Sequence, residues 1–327
     1  MEPVTGPIRW GVAGTGGIAS SFVADFAKLD DGEIAAVGSR SADSATAFAA
    51  ERGIERAHGS YEALAADPDI DAIYVAGIQP VHASHTELFL DAGKHVLVEK
   101  PIALNVAQVD SMIAAAARND RFLMEAMWMR FNPAHVEMMR RIEAGAIGEV
   151  RRVVGDFSLA IPFDESHRLW DRRKGGGALL DLGIYPFTLA WWVLGPPTRV
   201  DATGHVSPTG VDDEVSLLCS WEGGASATLT TALRLPGTLT ARIEGTEGSS
   251  ELPAPAHCID RMTLRRGSEV EEFGAGAGGL HHQVVEVHRC LRDGERESPR
   301  MPLATSRAII ERFDAVRAQL GVRYDAD

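Results

Sequence analysis

The chain has 327 residues, 45% hydrophobic and 24% charged, which is globular composition with enough length for two hydrophobic cores. Its 32 basic and 46 acidic residues give a formal charge of −14, a surface that repels nucleic-acid backbones and anionic lipid heads. Cys219, Cys258 and Cys290 are too few and too scattered for a disulfide framework, and the first nine residues lack the basic and apolar regions of a secretory signal, so a cytoplasmic protein with free thiols is expected.

From residue 8 to 125, short apolar runs alternate with longer amphipathic ones, the βαβ pattern of a parallel sheet covered by helices. Strands are predicted at 8–13, 33–37, 72–76, 95–98 and 122–125, with helices at 18–28, 41–52, 61–66, 84–92 and 105–118, several of them rich in alanine. The first strand runs into Gly14-Thr15-Gly16-Gly17-Ile18-Ala19, a G-x-G-x-x-A turn that opens the first helix. Strand, glycine turn and helix in that order bring backbone N–H groups and a helix N-terminus to a pyrophosphate. An NAD-selective site would place an acid at the end of the second strand. Here the strand ends in Ser39-Arg40-Ser41, a guanidinium between hydroxyls suited to a 2′-phosphate, so NADP(H) is expected ahead of NAD(H). His82 and His85 have a spacing that could ligate a metal, but no third ligand lies near and no metal is expected. The strand at 95–98 leads into Glu99-Lys100-Pro101, which delivers Glu99 and Lys100 to the sheet edge where the nicotinamide should lie.

After a helix near 133–144 the pattern changes to β segments at 150–160, 200–206, 214–221, 226–235, 239–244 and 262–265, with Gly and Pro at the turns between them. This half is predicted to be an α+β domain with a large, mostly antiparallel sheet. One helix at 178–194 interrupts it and a helical pair from 281 to 320 ends it. The uncharged stretch 182–197 is too short and too broken by Gly183 and Pro186 for a membrane span, and reads as a buried helix. It follows Gly175-Gly176-Gly177 and carries Asp181 and Tyr185 four residues apart, on one face of a continuous helix. A carboxylate in so apolar a run needs a partner or a purpose. The predicted division is a dinucleotide-binding half over 1–125 and a second α+β half over 126–327.

These landmarks, from G-x-G-x-x-A through Gly93-Lys94-His95-Val96-Leu97-Val98-Glu99-Lys100-Pro101 to the triple-glycine helix and the helical ending, resemble the Gfo/Idh/MocA family from end to end. Ser39-Arg40, the segment Glu125-Ala126-Met127-Trp128-Met129-Arg130-Phe131 and tyrosine at 185 are most similar to its dihydrodiol dehydrogenase and NADP-dependent D-xylose dehydrogenase branch. The resemblance implies a Rossmann domain and a hydride transfer between nicotinamide and a secondary alcohol of a sugar, polyol or cyclic trans-diol. It implies that Lys100, Tyr185 and Asp181 are catalytic, with Lys100 and Tyr185 able to exchange roles. Cofactor contacts are implied for Gly14, Thr15, Gly16, Gly17, Ile18, Ala19, Ser39, Arg40, Pro80, His82, Glu99 and Lys100, and substrate contacts for Trp128, Arg130 and Trp170. Gly77 and Ile78 depart from the family's usual residues ahead of Pro80 and His82. A homodimer or dimer of dimers is implied. The alternatives are a non-catalytic NADP-binding regulator and a sugar–sugar oxidoreductase that keeps its NADP bound.

Overall fold

The computed structural model describes residues 1–276 and 278–327. They form two compact units, one of residues 1–128 with 279–310 and one of residues 129–278 with 311–327.

The first unit opens with β1 (Arg9–Ala13), α1 (Gly17–Phe26), β2 (Glu33–Gly38), α2 (Ala42–Arg52), β3 (Arg56–His58), α3 (Tyr61–Ala65), β4 (Ala72–Val75), α4 (His82–Asp91), β5 (His95–Glu99), α5 (Val106–Asn119) and β6 (Leu123–Ala126). Every strand pair is parallel, in the order β3-β2-β1-β4-β5-β6. The chain steps from β1 out through β2 and β3 and then returns to β4 on the other side. That reversal opens a ligand crevice at the carboxyl ends of β1 and β4. β4, β5 and β6 are buried on both faces, which is why they read as continuous, largely apolar runs. Capping side chains set the helix starts: Ser41 Oγ accepts from Ser44 N at 3.3 Å and Asn105 Oδ1 from Gln108 N at 3.0 Å. β3, only three residues long, escaped the periodicity argument.

The second unit begins with α6 (Pro133–Glu143) and β7 (Val150–Ser158), followed by a π turn over Leu179–Gly183 that passes into α7 (Ile184–Leu194). Then come β8 (Arg199–Val206), β9 (Asp212–Ser220), β10 (Ser226–Ala232), β11 (Ala241–Gly245), β12 (Ser249–Leu252), β13 (Arg261–Arg266) and β14 (Glu269–Gly274). The eight strands lie in the order β14-β13-β12-β11-β7-β10-β9-β8 and all pairs are antiparallel except β7 with β10. The stretch Arg172–Leu194 is long and apolar enough by composition to cross a membrane, yet residues 184–190 are all buried against β7 and β10, as a core helix.

Two last helices follow, α8 (His281–Arg292) and α9 (Leu303–Leu320). The expected division at residue 125 puts α8 in the second half; instead residues 279–310 complete the first unit. The cause is a buried polar group. Trp10 on β1 is fully buried among Phe22, Phe26 and His288, and its indole N–H donates to His288 Nε2 at 2.9 Å. An unsatisfied indole there would be costly, and α8 also buries Val284, Val287 and Leu291.

Candidate active site

In the first unit Gly14 has φ +127° and its amide donates to Gly38 O at 2.9 Å. A Cβ there would stand 3.1 Å from the Ala76 carbonyl, so both conformation and space require glycine. Gly16 and Gly17 face open space, where a Cβ would meet nothing within 4 Å. Gly16 is the N-cap of α1 and offers no side-chain acceptor to the first amides. Thr15 and Ile18 flank this open turn while Ala19 is buried beneath it. A shallow, uncapped cradle of N–H groups at a helix start fits a dinucleotide pyrophosphate.

At the end of β2, Ser39 is buried with Oγ 3.4 Å from Ser41 N, while Arg40 is exposed. The rings of Tyr61 and His85 lie 4.3 Å apart. Burial raises the Tyr61 hydroxyl, with the Arg40 charge opposing it; burial and then Arg40 lower His85. Arg40, Tyr61 and His85 therefore form one cluster. Tyr61 and His85 were not singled out as cofactor contacts because they are 24 residues apart in sequence and meet only through the fold.

At the end of β5, Glu99 is buried, accepts from the Tyr74 hydroxyl, and takes Lys100 N at 3.2 Å. Lys100 is half-buried and its peptide bond to Pro101 is cis. Glu125, at 1% exposure, accepts from Ile102 N at 3.0 Å. Burial pushes its carboxyl up to about 7, Glu99 adding to the rise and Lys100 opposing it. Buried Glu125 thus sits within the fields of both Glu99 and Lys100, a feature that sequence spacing did not isolate. Pro80 lies half-buried in a short 3₁₀ turn. His82 is buried, with Nδ1 2.9 Å from Pro101 O and Nε2 3.1 Å from Gly77 O. Its burial lowers the ring to about 4, so it is neutral at pH 7 and its single N–H donates to one of these two carbonyls at a time. With both nitrogens on carbonyls it is not placed as a metal ligand.

In the second unit, Asp181 and Tyr185 stand on the segment after the triple glycine. The four-residue spacing assumed one continuous α-helix; the π turn ends between them, so α-helical phase no longer assigns them to one face. Asp181 has a partner that the sequence did not reveal. Arg168 Nη1 donates to Oδ1 at 3.0 Å and Nη2 to Oδ2 at 3.2 Å, a bidentate pair. Tyr185, 7% exposed, has its ring centroid 5.3 Å from Phe157 and 4.8 Å from His257, which stacks on Phe157 at 4.5 Å. These three, with Met129, Asp156 and Pro186, border a cavity of about 20 Å³, room for one water. His257 was also missed, since it lies on an irregular segment with no period to mark it.

Of the expected substrate residues, Trp128 is half-buried. Arg130 places its guanidinium 4.3 Å over the Trp192 ring. Trp170 is 2% exposed and packs edge-on against Phe163 at 5.1 Å.

Residues 8–127 match a family described as "Oxidoreductase family, NAD-binding Rossmann fold", and residues 135–251 match the "GFO/IDH/MocA C-terminal domain". The chain is 38% identical over 339 residues to trans-1,2-dihydrobenzene-1,2-diol dehydrogenase of Danio rerio, covering 98% of this chain and 99% of that one. The Homo sapiens protein of the same name is 34% identical over 337 residues with the same coverage. Among solved structures, an aldose-aldose oxidoreductase from Caulobacter crescentus complexed with glycerol superposes with a TM-score of 0.88 at 25% identity, covering 96% of this chain and 97% of that one. A 3-ketoreductase from Actinomadura kijaniata in complex with NADP and TDP-benzene gives 0.85 at 28% identity, covering 96% and 98%. That ketoreductase has also been solved with a lysine changed to alanine and with a tyrosine changed to phenylalanine.

Proposed function

The chain belongs to the Gfo/Idh/MocA family of nicotinamide-dependent oxidoreductases, and from that premise we propose that it oxidises a secondary alcohol of a cyclic trans-diol or a sugar with NADP, or runs the reverse reduction. The observation that carries the reading is the likeness to dihydrodiol dehydrogenases over 98% of the chain, in a fold that holds Lys100 at the carboxyl end of β5. Bound NADP supplies the hydride acceptor. Tyr185 takes the alcohol proton as the carbon loses its hydride, and Lys100 stabilises the negative charge that develops on oxygen. A free phenol titrates near 10, too high for a base at pH 7, and an ammonium acting on the same oxygen favours the phenolate. Asp181, held by Arg168, orients the substrate or the lysine. Trp128 supplies an apolar wall.

Purified protein with NADP and a panel of dihydrodiols, pentoses and hexoses should generate reduced nicotinamide absorbance. Absence of turnover with the whole panel, combined with absence of NADP binding, overturns the reading. The likeness to an aldose-aldose oxidoreductase favours one second reading, in which NADP stays bound and recycles between two sugars. NADP co-eluting through gel filtration would support it.

Arg40, with Tyr61 and His85 beside it, is proposed to hold the 2′-phosphate. Loss of a charge-assisted hydrogen bond is worth about 1.5–3 kcal/mol, so Arg40→Ala should narrow the NADP-over-NAD preference by roughly 10- to 100-fold. Unchanged dissociation constants for both cofactors would count against it.

We also propose a homodimer, formed through the sheet face opposite α7. Leu218, Thr228 and Val154 lie in one cross-strand row, and Leu218 and Val154 are 51% and 41% exposed. Apolar rows on an open sheet call for a partner surface. Light scattering should show a dimer for the native chain and a monomer for Leu218→Asp; a native monomer would refute the assignment. The three free thiols suit a reducing compartment, which favours the cytoplasm.

A further inference from the structure

The triple glycine that leads into Asp181 and Tyr185 is gripped by residues far away in sequence. Gly176 lies so close to Leu169 that a Cβ would collide with the Leu169 carbonyl, and Gly177 N donates to Leu169 O at 3.0 Å. Asp212, the first residue of β9, is fully buried, and its Oδ2 accepts from Leu179 N at 2.6 Å, at the start of the π turn. The Tyr324 hydroxyl donates to Gly176 O at 2.6 Å from within the core. A Cβ on Gly177 would stand 2.6 Å from Asp212 Oδ1 and 3.0 Å from Tyr324 Oη, so both side chains close on the same turn.

Tyr324 is itself fixed. The Arg317 guanidinium lies 4.9 Å from its ring and donates to both Asp327 carboxylate oxygens, at 2.6 and 3.2 Å, while Tyr324 N donates to Asp327 Oδ2 at 2.8 Å. Arg317 also holds Asp314 at 2.5 Å. A cation–π contact and a bidentate ion pair thus lock a phenol whose single polar atom points at a glycine carbonyl.

We propose that Asp212 and Tyr324 are positioning residues: they fix the glycine turn and the first amides of the π turn, and through them the placement of Asp181 and Tyr185. The inference rests on the catalytic reading of Tyr185 given above. An oxygen acceptor at the start of a helical segment satisfies an amide that would otherwise be buried without a partner. The hydroxyl of Tyr324 holds the preceding carbonyl in the orientation the tight approach to Leu169 demands. Misplacing a reacting group by about 1 Å can cost on the order of 100-fold in rate, so this grip is felt in the chemical step and not in cofactor binding.

The test compares Asp212→Ala, Asp212→Asn and Tyr324→Phe with the native chain, using NADP and trans-1,2-dihydrobenzene-1,2-diol as probes and amide hydrogen exchange as a readout independent of turnover. Exchange at residues 176–185 should rise about tenfold in Asp212→Ala and Tyr324→Phe and remain native in β12 to β14. The diol kcat should fall about 100-fold in Asp212→Ala and about tenfold in Tyr324→Phe, with the KM for NADP unchanged. Asp212→Asn, which keeps an oxygen acceptor for Leu179 N, should recover most of both signals. Native exchange over 176–185 in Asp212→Ala and Tyr324→Phe would overturn the proposal, as would an equal rise throughout the second unit. Tyr185→Phe is run alongside. If it is inactive while Tyr324→Phe and Asp212→Ala retain native kcat, the positioning role alone fails; if it retains native kcat, the catalytic reading fails and exchange still decides the grip.

Discussion

Changing Lys100 to methionine is expected to lower kcat by on the order of 10²- to 10⁴-fold, the span of a lost acid–base or charge-stabilising group. Methionine preserves most of the apolar stem, so the half-buried position stays filled and the lost element is the cation. NADP affinity should change little, because the glycine cradle after β1 and the Arg40 cluster, which are proposed to hold the cofactor, lie elsewhere on the sheet edge. Binding measured by calorimetry and turnover measured on the active substrate of the panel separate the two effects. The ammonium also opposes the upward shift of Glu125, so its removal should move that carboxyl further above about 7. If Lys100 and Tyr185 act on one oxygen, their losses will not add: Lys100→Met with Tyr185→Phe should be scarcely slower than the slower single variant. Full activity in Lys100→Met would end the assignment.

Acidification from pH 6.5 to 4.5 is expected to destabilise the first unit by roughly 2–3 kcal/mol per pH unit, while leaving the second far less affected. Burial lowers His82, His95 and His288 in the first unit from 6.5 to about 4. Two of these rings accept hydrogen bonds through a bare nitrogen, His95 from Phe122 N at 3.1 Å and His288 from Trp10, and protonation would abolish both. A lowered histidine contributes stability present above 6.5 and lost as pH falls toward 4. Glu125, raised from 4.5 to about 7, works oppositely: its contribution is present below 4.5 and lost as pH rises through 7. Three protons taken up by the unfolded chain against one held by the folded chain leave two. In the second unit His135, lowered to about 4, and Asp212, raised to about 7, nearly cancel. Hydrogen exchange at pH 5 and pH 7 should therefore show opening of β1, β4 and β5 ahead of β7 and β10. Uniform loss across both sheets would contradict this account.

The parallel half was legible because its central strands β1, β4, β5 and β6 are buried along nearly their whole length, so short-range pattern and fold agree. The same logic put Lys100 directly after β5, where the structure also has it. What stayed hidden was long-range or unpatterned. β14, with Glu269, Glu271 and Glu272 in six residues, is not among the predicted strands and pairs antiparallel with β13. Leu239 was expected to begin a strand, but its φ of +56° delays the strand to Ala241. Arg168 meets Asp181 across an irregular segment, and Asp212 reaches Leu179 across 33 residues; neither distance has a periodicity to announce it. The π turn was invisible for a further reason, because one extra residue in a buried apolar run changes phase without changing composition.

The return of α8 to β1 has a consequence for how the protein can be cut and made. A fragment ending at residue 128 would contain all six strands of the parallel sheet and the whole glycine cradle. It would lack His288, the acceptor of the Trp10 indole, and leave the cluster of Trp10, Phe22 and Phe26 open to water. During synthesis the same uncovered cluster persists until some 150 further residues have emerged, a period in which aromatic surface invites self-association. An isolated dinucleotide-binding fragment should therefore be built with residues 279–310 joined to it, and chaperone demand should be greatest midway along the chain.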